Sequence, residues 1–323
     1  MVTDGKNSER NRKIWLLVLL SISLIFISPG SAAGQNVLVP IVEQGTHVFI
    51  GESGLDITDA LTDPNPPNNL INYVGWWKSV AEVGLTPADR YITIAPGSET
   101  NYYVNEVEYT LNGQIMEGAF YLCDQGSGLP ITFGGQPVVA YYVAIPHIEL
   151  VPADTECPDV NRTGQVFIGT DLVFNIKTNL YHIQERPSGG ATAGIFDINV
   201  LGSNGKDYTS LITPTTAVLP LKDQDITTNT FQWKTWDTAA LDPVTGQLYT
   251  PEGTYSISVT CWANNIIDNY VAVGGAKSAV TTLALTPETV TVSVNPGSIL
   301  RSETATATVS GKPNTEYIIG LIE

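Results

Sequence analysis

The sequence predicts an all-β protein, with tandem immunoglobulin-like β-sandwich domains behind a secretory signal peptide. Three observations lead there. Beyond residue 33 the apolar residues recur with period two in short runs bounded by Gly, Pro, Asn and Asp, as in "YITIAP" (91–96), "VVAYYVAIP" (138–146), "GIFDINVLG" (194–202) and "GTYSISVTCWA" (253–263). Side chains on a strand point alternately to its two faces, so such runs are half-buried strands. Charged residues make up only 15 % of the chain, against roughly 25 % in an average soluble protein, and Thr, Ser, Asn and Gly fill the polar positions instead. Finally, Val-Phe-Ile-Gly is written twice, at 48–51 and at 166–169. That spacing is about the length of one sandwich domain.

Taken in order, the first 33 residues are a targeting segment. Lys6, Arg10, Arg12 and Lys13 precede an apolar run, Ile14 to Ile27, broken only by Ser21 and Ser23. Ser31-Ala32-Ala33 then offers small residues for cleavage before Gly34. The run falls short of the ~20 residues a spanning helix needs, so the expectation is export, with no membrane insertion after cleavage. Residues 36–152 form the first expected sandwich. The stretch "WWKSVAEVGLTPADR" (76–90) leaves room for one short helical turn. Residues 153–163, with Pro and acidic side chains, read as a linker, 164–286 as the second sandwich, and 287–323 as the start of a third, incomplete β-domain. In each VFIG copy, Val and Ile should face one way and Phe the other, with Gly turning the chain into the next strand.

The net charge of −17 repels phosphate backbones and anionic headgroups, which argues against nucleic-acid partners. It attracts cations, and calcium is the candidate. Asp56, Asp59, Asp63 and Asn65 in "DITDALTDPNPPNN", and Asp154, Glu156 and Asp159 at the expected linker, are oxygen ligands of the hard type calcium takes. Solvated turns explain the same residues equally, and no EF-hand spacing is present. Asn161 heads the one sequon, Asn161-Arg162-Thr163. Of three cysteines, Cys123 and Cys157 are the candidate disulfide, leaving Cys261 free. Trp76, Trp77, Trp233 and Trp236 are candidate contact aromatics for a subunit or a glycan; of the adjacent pair, one should be core and the other semi-exposed. Tyr255 opens a core strand and reads as structural.

No catalytic residues are indicated. His47, His147 and His182 are scattered and fit no metal-ligand spacing. "IGESGL" lacks the residue between Ser53 and Gly54 that a nucleophile elbow requires. "GSNGKD" has too short a gap between its glycines for a phosphate loop, and a hairpin turn at Asn204-Gly205 explains it better.

Several runs in sequence order resemble a secreted domain family of methanogenic archaea whose function is unknown, found in surface proteins of the S-layer type. They are "VFIGESGLDIT", "VGWW" (74–77), "VFNIKTNLY" (173–181), "NGKDYTSL" (204–211), "FQWKTWDT" (231–238), "EGTYSISVTCWANNIIDNY" (252–270) and "VNPGSILRSETATATVSGKPNTEY" (294–317). The chain departs from that pattern at Ser302, where the family often has Gly, and near residue 120, where only Phe120-Tyr121 stands for an aromatic-rich element. The resemblance implies a cell-surface location and a structural or coat role with no activity. The expected partners are the protein itself, other envelope proteins or glycans. The competing expectation is an extracellular adhesin or carbohydrate- or solute-binding surface protein.

Overall fold

The computed structural model describes residues 41–155, 164–186, 194–295, 297, 304–311 and 318. The expected signal peptide, most of the expected linker and much of the expected third domain lie outside the described residues. The fold is all-β. Its helical pieces are single turns, such as Thr58–Leu61 and the 3-10 turns Val80–Glu82 and Leu180–Ile183.

Strands β1 (Thr46–Phe49), β2 (Tyr73–Trp76), β3 (Arg90–Thr93), β4 (Gly118–Leu122) and β5 (Val139–Ala144) form one sheet in the order β1-β5-β4-β2-β3. One face buries Val48, Val74, Ile92, Phe120, Leu122, Tyr141 and Val143. No second regular sheet covers this core among the described residues. The Thr58–Leu61 turn, the short pairing of Ser53–Leu55 with Tyr102–Tyr103, and the segment around Tyr109 close it. This layer lacks the alternation of a sandwich sheet. It is fixed instead by a buried relay in which Tyr102, Tyr109 and Tyr141 join hydroxyls at 2.8 and 2.8 Å. Burial raises the pKa of all three, so they stay neutral.

The second lobe is β-sandwich-like. Its two facing sheets are built from β6 (Ile148–Asp154), β7 (Gly164–Phe167), β8 (Asp171–Thr178), β9 (Phe196–Leu201), β10 (Asp207–Tyr208), β11 (Thr230–Asp237), β12 (Gly253–Cys261) and β13 (Thr281–Thr286). One sheet runs β6-β8-β11 and the other β7-β13-β12-β9-β10. Leu150, Phe174, Ile176, Trp233 and Trp236 of the first meet Phe196, Ile198, Val200, Tyr255, Ile257, Val259 and Leu283 of the second in one core. Each side contributes alternate residues, as the period-two pattern dictates. Strand β6 covers residues 148–154, at the end of the expected first domain and the start of the expected linker. It pairs with β8 along its whole length. Pro152 is tolerated because β6 is an edge strand, where a missing N–H breaks no ladder bond.

The repeated VFIG has the same backbone role twice. β1 pairs in parallel with β5, and β7 in parallel with β13. Each copy ends in the same turn: the Glu52 N–H donates to the Phe49 carbonyl at 3.0 Å, and the Thr170 N–H to the Phe167 carbonyl at 3.1 Å. The glycine that follows has φ +95° at Gly51 and +91° at Gly169, a region L-residues with a Cβ avoid. Beyond β13, strands β14 (Thr291–Asn295) and β15 (Thr306–Ser310) pair as an exposed two-stranded ribbon.

Candidate functional site

A cluster of buried polar side chains joins the two lobes. Alternation on β1 starts it. Val48 and Ile50 point into the first core, while Phe49 points the other way and lies fully buried in the second. The VFIG turn then carries Glu52 into the gap, where its side chain is completely buried. Arg186 meets it from the second lobe, 3 % exposed. Its guanidinium grips both carboxylate oxygens, Nη1 to Oε1 at 2.9 Å and Nη2 to Oε2 at 2.6 Å. The remaining valences are filled. Phe49 N–H donates to Oε2 at 2.7 Å and Asn264 Nδ2 to Oε1 at 2.6 Å. Arg186 Nε and Nη2 both donate to the His47 carbonyl, at 3.1 and 2.6 Å. A desolvated ion pair is tolerable only with such complete pairing.

The segment after β12 closes the joint from the other side. Ile266 sits in the second core, while Tyr270 packs against the first. Asn269 Nδ2 donates to the Gly51 carbonyl at 2.8 Å and to Ser53 Oγ at 3.2 Å, and Asn265 Nδ2 reaches the same Oγ at 3.1 Å. A Cβ on Gly51 would stand 2.7 Å from Tyr270 Cβ. Gly51→Ala is therefore expected to loosen the joint through both backbone strain and collision, lowering stability by about 2–3 kcal/mol, measured by denaturant titration. Beside the ion pair, the His47 and His182 rings stack across the lobes, with centroids 3.9 Å apart and planes 11° apart. Tyr142 flanks His47 at 5.2 Å and Tyr181 flanks His182 at 4.0 Å. His182 Nδ1 lies 2.6 Å from a Glu185 oxygen.

None of Glu52, Arg186 or Asn264 stands out in sequence by itself, and two of the three scattered histidines prove to be in contact. The available signal was indirect: "VFIGESG" and "CWANNIIDNY", two of the runs that carry the family resemblance, are the two that meet here.

The other candidate residues take different places. Asp56 Oδ1 accepts from Thr58 N–H at 3.0 Å, and Asp63 Oδ1 from Asn65 N–H and Nδ2, both at 2.9 Å. Asn65 Nδ2 also reaches the Thr132 carbonyl at 3.1 Å. Asp59 is exposed, and Asp154 ends β6. Asp56 and Asp63 organise turns, and no group of three or more His, Cys, Asp or Glu among the described residues converges on a metal position. Glu156, Asp159, Asn161 and Cys157 lie outside the described residues.

Cys123, the expected partner of Cys157, is a buried free thiol that donates to the Tyr121 carbonyl at 3.4 Å; Cys261 is free and buried too. Burial pushes both thiols up to about 12. Both are expected to resist alkylation in the native protein at neutral pH and to react once it is unfolded, by peptide mass mapping.

The tryptophans do not form a contact platform. Trp233 and Trp236 are buried against Phe174, at 5.5 and 6.0 Å. Three residues apart, they should face opposite ways on a regular strand. Leu172 pairs with Trp236 and Phe174 with Trp233, so β11 carries one extra residue, and this bulge turns both rings inward. Trp77 is buried edge-on to Tyr121, its Nε1 donating to the Thr86 carbonyl at 2.9 Å, whereas Trp76 is half-buried and donates to the Glu117 carbonyl at 3.0 Å.

Among curated proteins, none matches the chain. A family model does match, and it spans residues 44–268, from the strand that opens the joint to the segment that closes it. The chain belongs to that family, the domain of unknown function DUF3821.

Proposed function

We propose that this is a secreted, non-catalytic structural protein of the cell envelope, an S-layer, sheath or coat component of the methanogen type. Its second lobe is an immunoglobulin-like module, locked in tandem to the single-sheet first lobe. The joint carries this reading. Fully desolvated and fully paired, it removes hinge freedom between two β-modules, as a repeat that carries mechanical stress requires. The immunoglobulin-like assignment draws support from the second lobe. There the chain leaves the edge of one sheet after β6 and joins the other as β7, parallel to its last strand. Tyr255, at the start of β12, donates its hydroxyl to the Pro251 carbonyl at 2.6 Å, the arrangement of a tyrosine corner. Tyr255→Phe is expected to cost about 1–2 kcal/mol by leaving that carbonyl unpaired, read from the denaturation midpoint.

Export supplies the address, and mass spectrometry of the secreted protein is the check: cleavage before Gly34, and glycan at Asn161. The test of function is assembly. Electron microscopy of purified protein, with calcium and with chelator, is expected to show sheets or filaments that depend on the cation. A monomer under every condition would overturn the structural reading.

One feature favours the binding alternative. The outer face of β6-β8-β11 is concave, about 520 Å³, and lined by Glu149, Val151, Asn175, Lys177, Thr230 and Gln232. Glycan binding by that monomer, abolished by Asn175→Ala with Gln232→Ala, would establish the adhesin reading instead.

A further inference from the structure

We propose that the His47–His182 stack is a pH-sensitive latch: neutral rings hold the two lobes closed at the joint, and acid releases them. The inference adds regulation to the reading of the junction as a rigid joint, and rests on that reading.

The geometry sets the conditions. The rings come from different lobes, His47 from β1 and His182 from the Leu180–Ile183 turn, and touch face to face at 3.9 Å. As neutral imidazoles they make an apolar contact continued outward by Tyr142 and Tyr181. The charged groups facing His47 are His182, Glu185 and Arg186, with Tyr142 of β5 on its other side. Those facing His182 are His47 and Glu185. One carboxylate therefore stands beside two imidazoles. Arg186 supplies no relief, since it is itself cationic and already committed to Glu52. A first proton can be balanced by Glu185. A second would place two cations in van der Waals contact next to a third.

The direction of the pH effect follows. The pKa of His47 is lowered, first by burial and then by His182. A base held below its ordinary value of 6.5 contributes stability that is full above that value, and that is lost as pH falls through the lowered one. The joint should therefore be closed in neutral medium and open in acid, with Phe49 leaving the second core, while the rest of both cores, which contain neither histidine, persists.

Amide hydrogen exchange on the intact chain tests this, corrected for intrinsic rates, between about pH 8 and about pH 5. Protection at Phe49–Ser53 and Asn264–Tyr270 is expected to fall by about tenfold or more in acid, while β12 stays protected. His47→Phe keeps a flat ring in the stack without its proton site and should hold joint protection level with pH. Should that variant fail to fold, His182→Phe takes its place, and the wild-type profile decides by itself between joint and core. Three results would each overturn the latch: joint protection unchanged to about pH 5, the same acid loss in a folded ring variant, or β12 losing protection together with the joint. Failure to assemble into a lattice would leave this readout untouched, so the two readings fail separately.

Discussion

Arg186→Ala is expected to destabilise the protein by about 3–5 kcal/mol, the cost of removing one partner of a buried ion pair. The loss is not the attraction of the pair itself. It is what remains: a Glu52 carboxylate, completely buried, with only the Phe49 N–H and the Asn264 amide to stabilise it. The His47 carbonyl also loses two donors. A double variant, Glu52→Gln with Arg186→Met, removes the stranded charge while keeping an acceptor for Phe49 and apolar bulk for the stem. It should recover more than half of the loss. With Glu52→Gln and Arg186→Met also made singly, denaturant unfolding followed by tryptophan fluorescence gives all the corners of the cycle, and the coupling between the two positions should be large and favourable. A single-variant cost below about 1 kcal/mol, the scale of a solvent-exposed pair, would mean that water reaches the joint and that the two lobes hinge freely.

How much of this was readable beforehand depends on whether the information was local. Strands such as "GTYSISVTC" announce themselves because Tyr255, Ile257, Val259 and Cys261 alternate, and they do line the second core. The VFIG repeat was legible for the same reason, down to Phe facing away from Val and Ile. The joint was not. Glu52 and Arg186 are 134 residues apart, and a lone Glu or Arg carries no periodicity to mark it as buried. The bulge in β11 hid Trp233 and Trp236 by a subtler route: one extra residue shifts the face of everything beyond it, and composition does not reveal it. Strand β6 was obscured by Pro152 and its acidic neighbours, which resemble a linker until the strand is known to lie at a sheet edge. The covering layer of the first lobe offers no alternation to read, because turns and tyrosine hydroxyls hold it rather than a ladder.

The repeat also supplies its own control for the joint. Phe49 and Phe167 occupy equivalent turns. Both strands pair in parallel with their partner, and the next N–H of each bonds the same carbonyl position, Ile50 to Ala144 at 3.1 Å and Ile168 to Thr286 at 2.8 Å. Backbone propensity and unfolded-chain effects therefore nearly cancel between the two sites. Their surroundings differ: Phe49 is fully buried in the core of the other lobe, and Phe167 is half-buried. Phe49→Ala should cost about 3–5 kcal/mol through lost burial and the cavity left behind. Phe167→Ala should cost about 1–2 kcal/mol, in proportion to its smaller buried area. The two variants should also differ in the form of unfolding. Emptying the Phe49 site uncouples the lobes, so its transition broadens or splits, whereas Phe167→Ala shifts a single transition to lower denaturant. Equal costs for the two would show that the VFIG phenylalanine serves its own strand and not the neighbouring lobe, and the rigid joint would lose its apolar half.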